Sequence, residues 1–144
     1  MKVKFTIPGE PMGKQRPKFS RRGNYVHTYT PDKTVSYENL VKLEFERQCN
    51  TFPFPKGIEL EMCIEAYFSI PKSTSKKKTA QMLDKYIRPT KKPDADNIIK
   101  IIADSLNGIA YYDDSQIVSC KCDKYYGSQP CVKVFICSVN DKQV

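Results

Sequence analysis

A chain of 144 residues, 40% of them hydrophobic, suits one compact domain with a real core. Twenty-four Lys and Arg against 16 acids give a net charge of +8, which favours polyanionic partners. The longest apolar-rich run, Ile98 to Ala110, is broken by Lys100, Asp104 and Asn107 and falls far below the roughly 20 residues a bilayer span needs, so no membrane role is expected.

In chain order, Val3, Phe5 and Ile7 alternate with Lys4 and Thr6, predicting a first strand that ends at Pro8-Gly9. This pattern begins without a signal-peptide apolar block, so the expected location is the cytoplasm. Residues 10–30, rich in Pro, Gly, Lys and Arg, read as a basic loop or hairpin. Thr30-Pro31-Asp32 reads as a helix start, and Tyr37, Leu40, Val41, Phe45 and Gln48 follow at helical spacing. That helix is expected to end before Pro53. Ile58 to Ala66 alternates apolar with mostly acidic residues, a long strand stopped by Pro71. The lysine-rich stretch Lys72 to Lys78 leads into a short helix through about Lys85. Two final strands, near Gln116 to Tyr126 and Cys131 to Val139, flank Gly127-Ser128-Gln129-Pro130 and read as a hairpin. The expectation is a single α/β domain over residues 1–144, a small mixed β-sheet with helices packed on it.

The six cysteines form no C-x-x-C pair, and His27 is the only histidine, so zinc spacing is absent. Buried free thiols are the expected state, with Cys120 and Cys122 on one face of a strand.

The informative region is Lys92-Pro93-Asp94-Ala95-Asp96-Asn97-Ile98-Ile99-Lys100, followed by Asp113-Asp114. Projected at about 100° per residue, Asp96, Lys100, Asp104 and Asn107 share one arc opposite Ile98, Ile99, Ile101, Ile102 and Leu106. Pro93 implies an extended approach, with Asp94 just before the helix and Asp96 at or next to its N-cap. Taken singly, Asp96 could be a cap or the partner of Lys100 in an ordinary i,i+4 pair. Taken together, the acids ask for a cation: a chain leaving the helix at Gly108 and returning along the sheet could bring Asp113 or Asp114 beside Asp94. Oxygen ligands without histidine favour magnesium, with manganese as a substitute. Such an ion suits phosphodiester hydrolysis, and Lys100 could donate to the scissile phosphate or orient the attacking water. Lys14, Arg16, Lys18, Arg21 and Arg22, interleaved with Phe19, Tyr25, His27 and Tyr29, suit phosphate contacts and base stacking. Lys76, Lys77 and Lys78, then Lys91 and Lys92, form a second basic stretch abutting the acids.

Lys92-Pro93-Asp94-Ala95-Asp96-Asn97 with Lys100, Asp104 and Asn107, then Tyr112-Asp113-Asp114-Ser115-Gln116-Ile117-Val118, resembles the signature of the RusA family of Holliday junction resolvases. Pro71-Lys72-Ser73, Ser75-Lys76-Lys77-Lys78 and Gly13-Lys14-Gln15-Arg16-Pro17 extend the likeness over most of the chain, and the form looks closest to phage and prophage members. The resemblance implies a magnesium-dependent homodimer that nicks four-way DNA junctions in symmetric pairs during recombination and repair. It also implies that Asp94, Asp96 and Asp114 are metal-binding catalytic acids, that Lys100 is an essential lysine, and that Asp113 has a supporting part. A two-fold dimer would present two copies of one site to two strands. The segment between Ile70 and Tyr86 is longer than in compact members of the family. The alternative is a branched- or single-stranded-DNA-binding protein without catalysis, in which the acids serve as caps and solubility charges. A glycosyltransferase reading of Asp94-x-Asp96 is disfavoured by the short chain.

Overall fold

In the computed structural model, residues 1–29, 31–50 and 53–140 are described, except for the side chains of Lys18 and Arg22; the expected helix-start residue Thr30 lies outside them. The strands are β1 (Lys2–Pro8), β2 (Lys18–Arg22), β3 (Tyr25–Tyr29), β4 (Leu60–Ser69), β5 (Ile117–Gly127) and β6 (Cys131–Ser138). The helices are α1 (Asp32–Gln48), α2 (Lys76–Leu83) and α3 (Ala95–Leu106). This is the expected α/β architecture. No helix among the described residues is long and apolar enough to cross a membrane.

The main sheet has the order β1-β6-β4-β5. β6 pairs antiparallel with both β1 and β4, whereas β5 runs parallel to β4. The expected hairpin of the last two strands is therefore corrected: β4 lies between them, and the 127–130 connection crosses its end. Gly127 permits that crossing, because a Cβ there would lie 3.1–3.2 Å from the Tyr67 side chain. A short turn between two alternating segments signals adjacency in sequence only; which strand fills the middle is settled by burial. β4 supplies Leu60, Met62, Ile64, Ala66 and Phe68, all buried, so it is stabilised most with a partner on each edge.

The inner face of the sheet, including Phe5, Ile7, Val132, Val134 and Ile136, packs under α1 and α3. α3 contributes Ile98, Ile101, Ile102 and Leu106, each fully buried. Tyr111, just past α3, is buried and donates its hydroxyl to the Ala103 carbonyl (2.6 Å), tying the following turn to the helix. Burial pushes its phenol well above the usual tyrosine range, so it stays a neutral donor. At the β1 edge, the Gln48 amide accepts from the Thr6 N–H (2.9 Å) and donates to its carbonyl (2.7 Å), closing part of an open strand edge.

The basic 10–30 segment forms a separate two-stranded sheet, β2 with β3. The cysteines are all free, as expected, but only Cys49 is buried; Cys120 is exposed and the rest are half-buried. On β5 alternate residues face the helices, yet an edge strand is covered on fewer sides than a central one. Desolvation still pushes the thiols of Cys49, Cys120 and Cys131 upward and that of Cys122 up to about 11, which leaves them protonated and poor metal ligands.

Candidate active site

α3 places most of the expected site. Asp94 is its N-cap residue, in extended conformation, and its carboxylate makes no capping hydrogen bond. Asp96 lies two residues past the cap, in the first turn, slightly deeper than its expected place at or next to the N-cap. Both are exposed. The carboxylate that helix capping would have consumed is thus left for another partner.

The loop Pro11–Gln15 lies against this end of α3. The Lys14 N–H donates to the Asn97 carbonyl (3.0 Å), and Gly13 touches the helix directly. A Cβ on Gly13 would stand 2.9 Å from the Cβ atoms of both Asn97 and Pro93, closer than carbon atoms pack. Together the loop and Lys92, Pro93 and Asp94 enclose a recess of about 360 Å³. Lys14 departs from the expected solvent-facing phosphate contact. Its ammonium is half-buried between Glu38 of α1 (3.3 Å) and Asp104 of α3 (3.4 Å).

Lys100 pairs with Asp104 (3.5 Å) rather than with Asp96. A helical lysine has neighbours at i−4 and i+4, and here the carboxylate already gathered with Lys14 takes it. Asp104, the expected stripe member without an assigned role, is therefore the hub that holds both lysines.

Asp114 reaches this hub from the turn after α3. Asn107 at the helix C-cap accepts the Asp114 N–H at its side-chain oxygen (3.1 Å). Behind it, the buried amide of Gln116 accepts from the N–H groups of Tyr112 and Asp113 (3.0 and 3.3 Å) and donates to the carbonyls of Pro55 and Ile58 (3.0 and 3.1 Å). Asp113 caps the short 3₁₀ turn Asp114–Gln116 through a bond from the Ser115 N–H (2.9 Å). That bond holds the Asp113 carboxyl below its usual range. Asp114 shifts the other way: desolvation, then Asp113 and Asp104, raise it against the pull of Lys100. The pair therefore divides the labour, with Asp113 spent on the turn and Asp114 left under negative pressure.

The expected meeting of Asp94, Asp96 and Asp114 at one point is not present in this arrangement. Among the described residues no three His, Cys, Asp or Glu side chains are grouped closely enough to hold a metal ion. The reason is the length of α3: Asp96 and Asp104 are eight residues apart, about 12 Å along the axis. The turn after the helix folds back at once, through the Gly108 N–H bond to the Tyr111 carbonyl (2.9 Å), and fixes Asp114 beside the last turn. The donors still fit a hard cation in kind, being carboxylates with no imidazole or thiolate among them. Magnesium commonly takes only one or two carboxylates and completes its shell with water and substrate phosphate.

Of the expected DNA-binding cations, Arg16 and Arg21 are exposed on the basic loop and hairpin, and Lys91 and Lys92 on the approach to Asp94. Lys76, Lys77 and Lys78 form an exposed first turn of α2. β2 carries Lys18 and Arg22. Sequence reading missed Gly13, Glu38 and Gln116. Gly13 and Gln116 lie within the quoted motifs, which was the available signal, whereas nothing around Glu38 marked it.

A family profile described as Endodeoxyribonuclease RusA matches residues 8–137. The chain belongs to the RusA family of endodeoxyribonucleases, hydrolases that cut DNA. A relative from Bacillus subtilis (strain 168), bearing the name "Uncharacterized protein YqaN", is 37% identical over 143 residues, spanning 96% of this chain and 97% of its own.

Proposed function

We propose that this protein is a magnesium-dependent, structure-selective endodeoxyribonuclease that, as a homodimer, resolves four-way DNA junctions by paired symmetric nicks. One observation carries the reading. The acids Asp94, Asp96, Asp104 and Asp114 are gathered along one helix and its adjoining turn, inside a chain of net charge +8. The excess of Lys and Arg draws in the phosphate backbone, and the carboxylates mark where an ion can sit against it.

Asp94 and Asp96 at the N-terminal end of α3, and Asp114 beside its last turn, would supply the carboxylate ligands for metal, with water and substrate phosphate filling the rest of the shell. When bound, the ion neutralises charge on the phosphodiester and makes a water more acidic. Lys100, exposed beyond its pair with Asp104, donates to a non-bridging oxygen of the scissile phosphate and withdraws charge as the P–O bond breaks. Asp104 and Lys14 position it. Asp113 supports Asp114 by holding the turn.

The dispersed acids favour a second reading in one respect: without a preformed three-ligand group, the protein could bind branched DNA without cutting it. One experiment separates the two. Labelled four-way junction, Y-fork and linear duplex are each incubated with magnesium, calcium or EDTA. Symmetric nicks in the junction with magnesium alone support the resolvase. Intact junction, retained by the protein in all three buffers, supports the binding module.

A further inference from the structure

We infer a second DNA-contacting site, remote from the acids, in a cleft at the C-terminal ends of β4 and β5, where Lys85 and Lys133 hold the phosphate backbone of a DNA arm. This rests on DNA being the substrate. The cleft has a volume of about 390 Å³ and is bounded by Lys85, Lys133, Tyr67, Leu83 and the 127–129 turn.

Its cations are set up differently from those of the acidic site. Lys14 and Lys100 are committed to carboxylates. Among the described residues, neither Lys85 nor Lys133 makes an ion pair; Glu65, opposite Lys133 in the strand register, accepts from the Tyr67 hydroxyl instead. Each is held over an aromatic face instead: Lys85 Nζ lies 4.5 Å from the Tyr125 ring centre, and Lys133 Nζ 5.2 Å from that of Tyr67. The two rings lean on each other, 5.5 Å apart. Ring faces fix a cation's position without neutralising it, so its charge remains for an anion. The Tyr67 hydroxyl, for its part, donates to Glu65 (3.3 Å), which fixes the ring.

The backbone adds an independent sign. Lys85 has φ +68, and it is the only non-glycine residue with positive φ among the described ones. It follows α2 at the position where glycine normally ends a helix. A lysine there accepts strain that glycine would avoid, and the strain aims its side chain across Tyr125.

The cleft also has a route to the acids. From Lys85 the chain runs along the outer edge of β5, where Arg88 donates to the Lys124 carbonyl (2.8 Å) and pairs with Asp123 (3.1 Å). Lys124 in turn donates to the Lys91 carbonyl (2.6 Å). Lys92 and Asp94 follow directly. A basic track therefore joins the cleft to the acidic helix, and Leu83 and Lys85, at and just past the end of α2, supply the cleft's far wall. On this inference one arm of a branched substrate lies at the acids and another at Lys85 and Lys133.

The test is binding, in EDTA, of four-way junction and linear duplex to wild type and to the K85G/K133Q variant across a salt series. Thermal unfolding of K85G alone serves as the fold control, expected at or above wild type because glycine suits positive φ. The expected result is junction affinity about tenfold weaker, a salt slope shallower by about 2 for two lost phosphate contacts, and duplex affinity changed less than twofold. An unchanged junction affinity and slope would overturn the cleft alone, leaving the resolvase reading intact. So would equal losses on both substrates. Wild-type protein that binds neither DNA would overturn the resolvase reading and the cleft with it.

Discussion

Gly13 gives the sharpest test of how the site is built. Its φ is not in the positive region, so replacing it by alanine costs nothing in backbone conformation. The unfolded chain would even lose entropy, worth about 0.4–1 kcal/mol in favour of the variant. Sterics oppose this: the new methyl would stand 2.9 Å from two Cβ atoms that belong to a proline and to a helical residue, neither of which can swing away. Overpacking of this kind costs about 1–3 kcal/mol, and lifting the loop also weakens the 3.0 Å bond from the Lys14 N–H to Asn97. The net expectation for Gly13→Ala is a loss of about 1–2 kcal/mol. That corresponds to a fall of about 3–8 °C in Tm for a chain of this size. Because the loop carries Lys14 into its bridge with Asp104, junction cleavage should fall as well, by at least tenfold. Thermal unfolding and a single-turnover cleavage assay measure the two effects. A variant as stable and as active as wild type would refute the claim that this close approach positions the site.

Three further outcomes follow from the site's electrostatics and hydrogen bonds. Asp114→Asn should abolish magnesium-dependent cutting while raising stability at pH 7 by up to about 1 kcal/mol, the scale of a partly exposed charge interaction. The sign follows from its raised pKa: the folded protein holds that proton more tightly than the unfolded chain, so the ionised group costs stability as pH rises from about 3.8. The gain should vanish below pH 4 in denaturant titrations, and a variant less stable at pH 7 would contradict the assignment. Lys14→Met leaves Glu38 and Asp104 repelling each other across a half-buried gap, and should lose about 1 kcal/mol, less at high salt, by the urea midpoint. Gln116→Leu removes four hydrogen bonds from one buried amide and should cost about 3 kcal/mol, seen as a lower denaturation midpoint with cleavage reduced in parallel.

The sequence by itself determined the parts whose information is local. Alternation in residues 3–7 and 58–66 marked β1 and β4, and a 3.6-residue period marked α1 and α3, because burying one face of an element leaves that face's spacing in the chain. The same projection put Asp96, Lys100, Asp104 and Asn107 on one stripe, and their spacing in the motif carried the family. Tertiary structure alone decided what depends on distant packing. Insertion of β4 between β5 and β6 follows from how much apolar surface each strand buries, a quantity no turn sequence encodes. Lys14 joined the ion cluster only because α1 and α3 lie side by side and bring Glu38 and Asp104 to it. Lys100 turned toward Asp104 for the same reason: helix geometry by itself favours the preceding acid, Asp96, and the carboxylate already gathered with Lys14 overrides that preference. The separation of Asp114 from Asp94 was set by the rigid rise of twelve helical residues and by Asn107, which fastens the returning chain to the far end of α3.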